Sequence, residues 1–112
     1  MNTTPDTQEV VLLTYPTTGK PKFVSYSQIE EHGNRVCRED GTLDVQSPHD
    51  DQGRIHGLWR SFHKNGVVST DVLYEHGEIA GAMQLYNENG EMTATFSREQ
   101  QLGLAPVSKL NK

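Results

Sequence analysis

A 24-residue repeat occupies the second half of the chain and limits what it can fold into. Gly53-Arg-Ile-His-Gly57 returns as Gly77-Glu-Ile-Ala-Gly81, and Phe62-His-Lys-Asn-Gly66 returns as Tyr86-Asn-Glu-Asn-Gly90. Weaker copies of the second block stand upstream, at 15–19 and 37–41. A repeat of this length is one supersecondary unit that stacks on its neighbours. The pattern therefore predicts clear units over 53–76 and 77–97, and degenerate units over 10–52.

Each clear unit has the pattern of a β-hairpin. Asn65-Gly66 and Asn89-Gly90 are typical of two-residue type I′ turns, in which both central residues have positive φ. The apolar pairs that such turns place on one face are Trp59 with Val72 and Met83 with Phe96. Because equivalent positions of both units are apolar, this face is predicted to be the core.

Turn glycines recur along the whole chain, which predicts up to eight short strands. The predicted fold class is all-β, an open twisted antiparallel meander of stacked hairpins in one domain over 1–97. A length of 112 residues suits one domain, and 33% hydrophobic residues permit only a thin core. The polar segment 46–52, which contains a proline, is predicted to be a loop. The tail over 98–112 is predicted to be a capping strand, a short helix or a disordered end.

The stretch from Gly53 to Gly90 resembles the MORN-repeat variant family of bacterial proteins. Units of that family typically read Gly-x-x-x-Gly-x-Trp-x-x-Tyr-x-x-x-Gly and continue into a strand that ends in Tyr-x-x-Gly. Here Trp59 occupies the aromatic slot and Tyr74-Glu-His-Gly77 closes the unit, while the next unit has Met83 where Trp is usual. The resemblance implies stacked hairpins in an open sheet, no catalytic residues, and a binding or scaffolding role. Some bacterial members of the family are antitoxin-like.

Charge and cysteine content exclude several classes of protein. Acidic residues outnumber basic ones 15 to 10, for a net charge of −5, which argues against direct binding to a nucleic-acid backbone. No apolar run in the sequence is long enough to span a membrane. A single cysteine excludes an internal disulfide framework and, with no signal-peptide pattern, predicts a cytoplasmic protein.

The side chains that could carry chemistry follow no catalytic or metal-binding pattern. The five histidines lack His-x-x-x-His spacing, and His49-Asp50-Asp51 is most simply a solvated turn. His32 and His76 each precede a glycine, where His is enriched at positive φ. Cys37 stands in a slot filled elsewhere by Tyr or Phe, which favours packing over reactivity. We therefore predict no enzyme activity, no metal and no cofactor; an enzyme built on the histidines and Cys37 is the least favoured alternative.

Two surfaces are candidates for partner binding. The face opposite the predicted core carries Leu58, Arg60, Phe62 and Tyr86, which form either a second minor core or a recognition stripe. Acidic residues near the turns would draw lines of negative charge if the turns lie at two edges of the sheet. The acidic candidates are Glu75, Glu78 and Glu88.

These features predict a non-enzymatic module that binds another protein or protein complex. Its most specific form is an antitoxin-like or immunity-like neutraliser of a bacterial protein. The alternative is a small acidic phage-type inhibitor, similar to anti-CRISPR proteins, that blocks a nucleic-acid-handling complex by imitating a phosphate backbone. Exposed sheet edges would also allow a homodimer.

Overall fold

The computed structural model describes residues 8–28 and 31–104. These residues form eight strands and one short helix. The strands are β1 (Gln8–Thr14), β2 (Pro21–Ser27), β3 (His32–Cys37), β4 (Leu43–His49), β5 (Gly57–Phe62), β6 (Val68–Glu75), β7 (Glu78–Tyr86) and β8 (Met92–Phe96), and the helix is α1 (Arg98–Gln101).

The strands form one antiparallel sheet in which each strand pairs with the next one along the chain. The all-β meander predicted from the repeat is therefore confirmed, with β1 and β8 as the two edges. Strands make contacts only with their sequence neighbours, so no second layer covers either face within the described residues. The predicted tail begins as α1, whose N-cap Ser97 and Gln100 form a capping box; residues 105–112 lie outside the described residues.

Four of the hairpin loops share one three-residue form, over 38–42, 50–54, 63–67 and 87–91. In the third, the N–H of His63 donates to Val67 over 2.8 Å, and the N–H of Gly66 donates back to the His63 carbonyl over 2.9 Å. Gly66 has φ 92°, whereas Asn65 does not have positive φ. This geometry is a type I turn followed by a left-handed glycine.

The predicted type I′ turns at Asn65-Gly66 and Asn89-Gly90 are therefore wrong. Asn65 keeps an ordinary φ and uses its side chain instead, accepting from the N–H of Val67 over 3.0 Å. The longer loop shifts the register by one residue beside the turn, so that Phe62 pairs with Val68. Farther from the turns, the predicted register is confirmed: the pairs are Trp59 with Val72, Arg60 with Asp71, Leu58 with Leu73, and Met83 with Phe96.

A type I′ turn does occur, between β6 and β7. His76 has φ 46° and Gly77 has φ 90°, and the pair Glu75–Glu78 closes the two-residue loop. The preference of His for positive φ before a glycine holds at His76 but not at His32, which lies in β3. Residues 29 and 30, ahead of His32, lie outside the described residues.

The first four residues of segment 46–52, predicted to be a loop, continue strand β4 to His49. Pro48 is buried and pairs with Gly33 of β3. The regular pairing of β4 with β5 ends at Gln46–Arg60. Beyond that pair, the backbone N–H of His56 donates to the carbonyl of Pro48 over 2.9 Å. A proline is tolerated there because its missing N–H would have no ladder partner.

The most covered residues change sides along the sheet. Directly paired residues share a face, so one face, here the Trp59 face, carries the row Trp59, Val72, Met83 and Phe96. Val72 is 2% exposed, and the other three are half-buried. In the N-terminal half the buried Val24 and Tyr26 lie on the opposite face. The predicted core face is thus the more covered one only in the clear repeats.

Candidate functional site

One row of paired residues crosses all eight strands on the face opposite Trp59, which we call the Arg60 face. The row is Val11, Val24, Arg35, Gln46, Arg60, Asp71, Gln84 and Thr95. Toward β8 the row becomes polar, while leucine and aromatic side chains stand beside it. This mixture is typical of surfaces that bind proteins.

Arg60 is the centre of the Arg60 face in the clear repeats. Its Nε is buried and has no hydrogen-bond partner among the described residues, and no ion pair involves its guanidinium there. The side chains of its two paired neighbours are engaged elsewhere. Gln46 bonds to Arg35 over 3.1 Å, and Asp71 accepts from the hydroxyl of Tyr86 over 3.2 Å. Arg60 thus carries a buried donor whose hydrogen bond no described residue supplies, which is costly.

Apolar side chains flank this cation. The ring of Phe62 lies 5.7 Å from the Arg60 guanidinium carbon, within cation–π range. Leu58 and Leu73 face each other across β5 and β6 and are 41% and 43% exposed. The arrangement offers one cation and three apolar side chains on one face of the sheet.

Tyr86 lies on the same face, on strand β7, but its polar group is already hydrogen-bonded within the protein. Its hydroxyl oxygen lies 3.2 Å from a carboxylate oxygen of Asp71 and 3.1 Å from Oε1 of Gln84, and these two acceptors share its one proton. Loss of solvent, followed by the nearby Asp71 carboxylate, raises the pKa of Tyr86. Strand β6 separates Tyr86 from Phe62, and the one stacked ring pair among the described residues is His56 with His76. The two rings therefore form no stacked ladder.

The N-terminal half of the Arg60 face is closed by its own polar network. The guanidinium of Arg35 lies 4.3 Å from the Tyr26 ring and pairs with Glu9. The hydroxyl of Tyr26 donates to Glu31 over 2.5 Å; burial, and then this bond, raise the pKa of Tyr26. Every charged group of the network has a partner, in contrast to Arg60. No sequence pattern predicts this network, because its members are far apart along the chain.

A second cluster joins the β4–β5 loop to the β6–β7 turn. His76 Nδ1 lies 2.8 Å from a carboxylate oxygen of Asp50, and Arg54 Nε donates to the same oxygen over 2.9 Å. The ring of His56 stacks on that of His76 at 4.2 Å. The bond from His76, ahead of those from Arg54 and backbone N–H groups, holds the pKa of Asp50 well below its usual range.

This cluster connects two loops. The described residues contain no group of three or more His, Cys, Asp or Glu arranged to hold a metal ion. Its adjoining cleft is lined by Arg54, Glu75, His76, Glu78, Ile79, Ala80 and Arg98 and contains no Ser, Thr or Cys nucleophile. The sequence marks His49-Asp50-Asp51 as a solvated turn, and no local pattern predicts that Asp50 bonds to His76, 26 positions away.

The acidic candidates do not form one surface. Glu75 and Glu78 are paired at one end of β7, and Glu88 lies in the loop after its other end. The nine residues of β7 separate these sites by about 30 Å. Turns do lie at two ends of the sheet, as predicted, but basic residues stand among the acids: Lys64 pairs with Asp40 at 3.2 Å, and Arg54 with Asp50.

Cys37 lies at the end of β3, half-buried. Its carbonyl accepts from the hydroxyl of Tyr15 over 2.8 Å. Burial raises the pKa of the Cys37 thiol, which disfavours the thiolate that nucleophilic chemistry requires. This position is consistent with the packing role expected from the repeat slot.

The described part of the chain contains no helix with the length and apolar character needed to cross a membrane. Comparisons with known protein families, curated proteins and solved structures find no match to this chain.

Proposed function

We propose that this chain is a non-enzymatic module that binds a partner protein through the Arg60 face of its clear repeats. The observation that supports this most is the guanidinium of Arg60, unpaired among the described residues and flanked by Phe62, Leu58 and Leu73. Arginine and aromatic side chains beside exposed apolar area are typical of binding hot spots. A partner segment that carries a carboxylate next to apolar side chains would supply what this surface lacks.

The specific role we propose is that of an antitoxin-like or immunity-like neutraliser of a bacterial protein in the cytoplasm. This rests on the resemblance of 53–90 to the MORN-repeat variant family and on the exposed leucines beside Arg60. A neutraliser acts by covering its target, so it needs surface chemistry and no catalytic group. The alternative, an acidic inhibitor that imitates a phosphate backbone, has less support because Lys64 and Arg54 interrupt the acidic ends of the sheet.

The test begins with capture of a partner from a bacterial lysate and its identification by mass spectrometry. Calorimetry with the purified partner then compares Arg60→Gln and Phe62→Ala with Lys20→Gln, which removes one positive charge from an exposed loop at the sheet end. We expect either Arg60-face variant to weaken binding at least about tenfold, and the Lys20 variant to bind like the original chain. Unchanged affinity of both Arg60-face variants would contradict the proposal.

A salt series separates the two candidate functions. An acidic mimic loses affinity steeply as salt rises, whereas a surface of one cation and several apolar side chains depends on salt only weakly. Replacing Glu75, Glu78 and Glu88 together by Gln should leave neutraliser binding intact. A steep salt dependence together with loss of binding in this triple variant would favour the mimic.

A further inference from the structure

Strand β1 is a sheet edge that no other element of the described residues covers, and its register with β2 shifts at Leu12 and again before Thr14. All seven of its residues are exposed, and its consecutive apolar residues 10–13 are each between 48% and 59% exposed. On the side away from β2, no strand of the described residues pairs with it. Its outward N–H and C=O groups and its apolar side chains are therefore open together.

The other edge of the sheet is different. Strand β8 has five residues, two of which are the exposed threonines Thr93 and Thr95, and α1 packs against it and β7. Short length, polar side chains and a covering helix are devices by which proteins prevent edge strands from pairing. The single charged side chain of β1, Glu9, points to the Arg60 face and is held there by Arg35. Glu9 therefore does not place a charge where another strand would pair with β1.

We propose that β1 pairs antiparallel with β1 of a second copy of this chain, around a two-fold axis. A strand is the occupant that can pair with a row of open backbone groups. Because apolar side chains are exposed on both faces of β1, the strand that matches it is apolar on both faces. Strand β1 has this property itself, because Val10 and Val11 point to opposite faces and both are exposed. A two-fold axis through the apolar segment pairs this segment of one copy with the same segment of the other. The two Glu9 side chains then lie on opposite sides of the axis, apart from each other.

The proposal is independent of the Arg60 face and is tested by sedimentation equilibrium on the full chain. We expect a species of twice the 12.5 kDa chain mass. Val11→Lys should weaken self-association at least about tenfold, with circular dichroism unchanged. Met92→Lys, at a residue of similar exposure on β8 (51%), is the matched control and should associate like the original chain. A monomer at millimolar concentration, or equal weakening by both variants, would overturn the proposal.

A cross-linking experiment covers the case in which Val11→Lys fails to fold. Cysteine is placed singly at each of positions 10–13 in a Cys37→Ser background and oxidised. Two-fold pairing brings one of these positions next to its own copy, so at least one variant should form a covalent dimer in high yield. The same substitution at Thr93 should not. Cross-linking at Thr93 but at none of the β1 positions, or growth into open polymers, would show that the contact is not the two-fold β1 pair.

Discussion

Gly33 of β3 lies so close to β4 that it has no room for a side chain beside Pro48. A Cβ placed on Gly33 would be 2.0 Å from the carbonyl oxygen of Ser47 and 2.7 Å from Cα of Pro48. The contact is with backbone, which cannot rotate away. Strands β3 and β4 thus lie too close together for a side chain at the point where Gly33 pairs with the buried Pro48.

Gly33→Ala should therefore destabilise the fold by about 1–3 kcal/mol, the usual cost of inserting an atom into a filled site. Gly81→Ala is the control, because Gly81 is also a strand glycine without positive φ, and its added Cβ would meet only the Leu73 side chain, at 3.2 Å. Urea unfolding measures both free energies. Equal losses would show that the close approach to β4 has no special cost.

Val72 and Leu73 are neighbours on β6 that point to opposite faces, and they test which face is covered. Val72 is 2% exposed and Leu73 is 43% exposed. Although Leu is the larger side chain, Val72→Ala should cost about 2 kcal/mol and Leu73→Ala less than about 1 kcal/mol. Denaturant melts of the two variants decide this. A larger loss for Leu73→Ala would mean that the covered face of the clear repeats is the Arg60 face.

Asp50 makes the free energy of unfolding depend on pH in the acid range. Its pKa in the folded protein is depressed, chiefly by His76, so its stabilising effect is complete above the unfolded pKa of about 3.9 and is lost as pH falls below that value. The side chain is 9% exposed, against 99% for Asp51. Asp50→Asn should flatten the fall in unfolding free energy on acidification, and Asp51→Asn should not. Parallel pH curves for the Asp50 variant and the original chain would contradict this.

Cys37 should react slowly in the folded protein. Because burial raises the pKa of its thiol, the thiolate fraction at neutral pH is smaller than in the unfolded chain. Alkylation followed by mass spectrometry should be slower in native buffer than in urea, and Cys37→Ser should leave partner binding nearly unchanged. Faster alkylation in the native state would indicate an activated thiol instead.

Sequence spacing predicts the sheet well wherever two strands are joined by a short loop. The pairs Trp59–Val72 and Met83–Phe96 follow from counting outward from the turn glycines. The count fails by one residue beside the turns, because Asn65 bonds through its side chain and leaves positive φ to Gly66 alone. Leu58, Arg60 and Phe62 were predicted to share a face, and the structure places them on one.

What spacing did not predict depends on contacts between segments distant in the sequence. Apolar residues occur on both faces of β2, so its sequence alone does not show whether Val24 or Phe23 is buried. In the structure Val24 is buried, on the face that carries the Arg35 network and the close contact of Pro48 with Gly33. The unpaired state of Arg60 depends on where the side chains of Gln46 and Asp71 find their partners. Neither partner could be identified from local sequence.

The pairing of every strand with its neighbour in sequence also determines how the chain can fold and change. No contact between strands requires closure of a long loop, so each hairpin can form as a local event and extend the sheet from its edge. Stability then adds up hairpin by hairpin, and damage to one unit acts mainly on the units beside it. Such a sheet can gain or lose a 24-residue unit by duplication or deletion while every other strand keeps its partner.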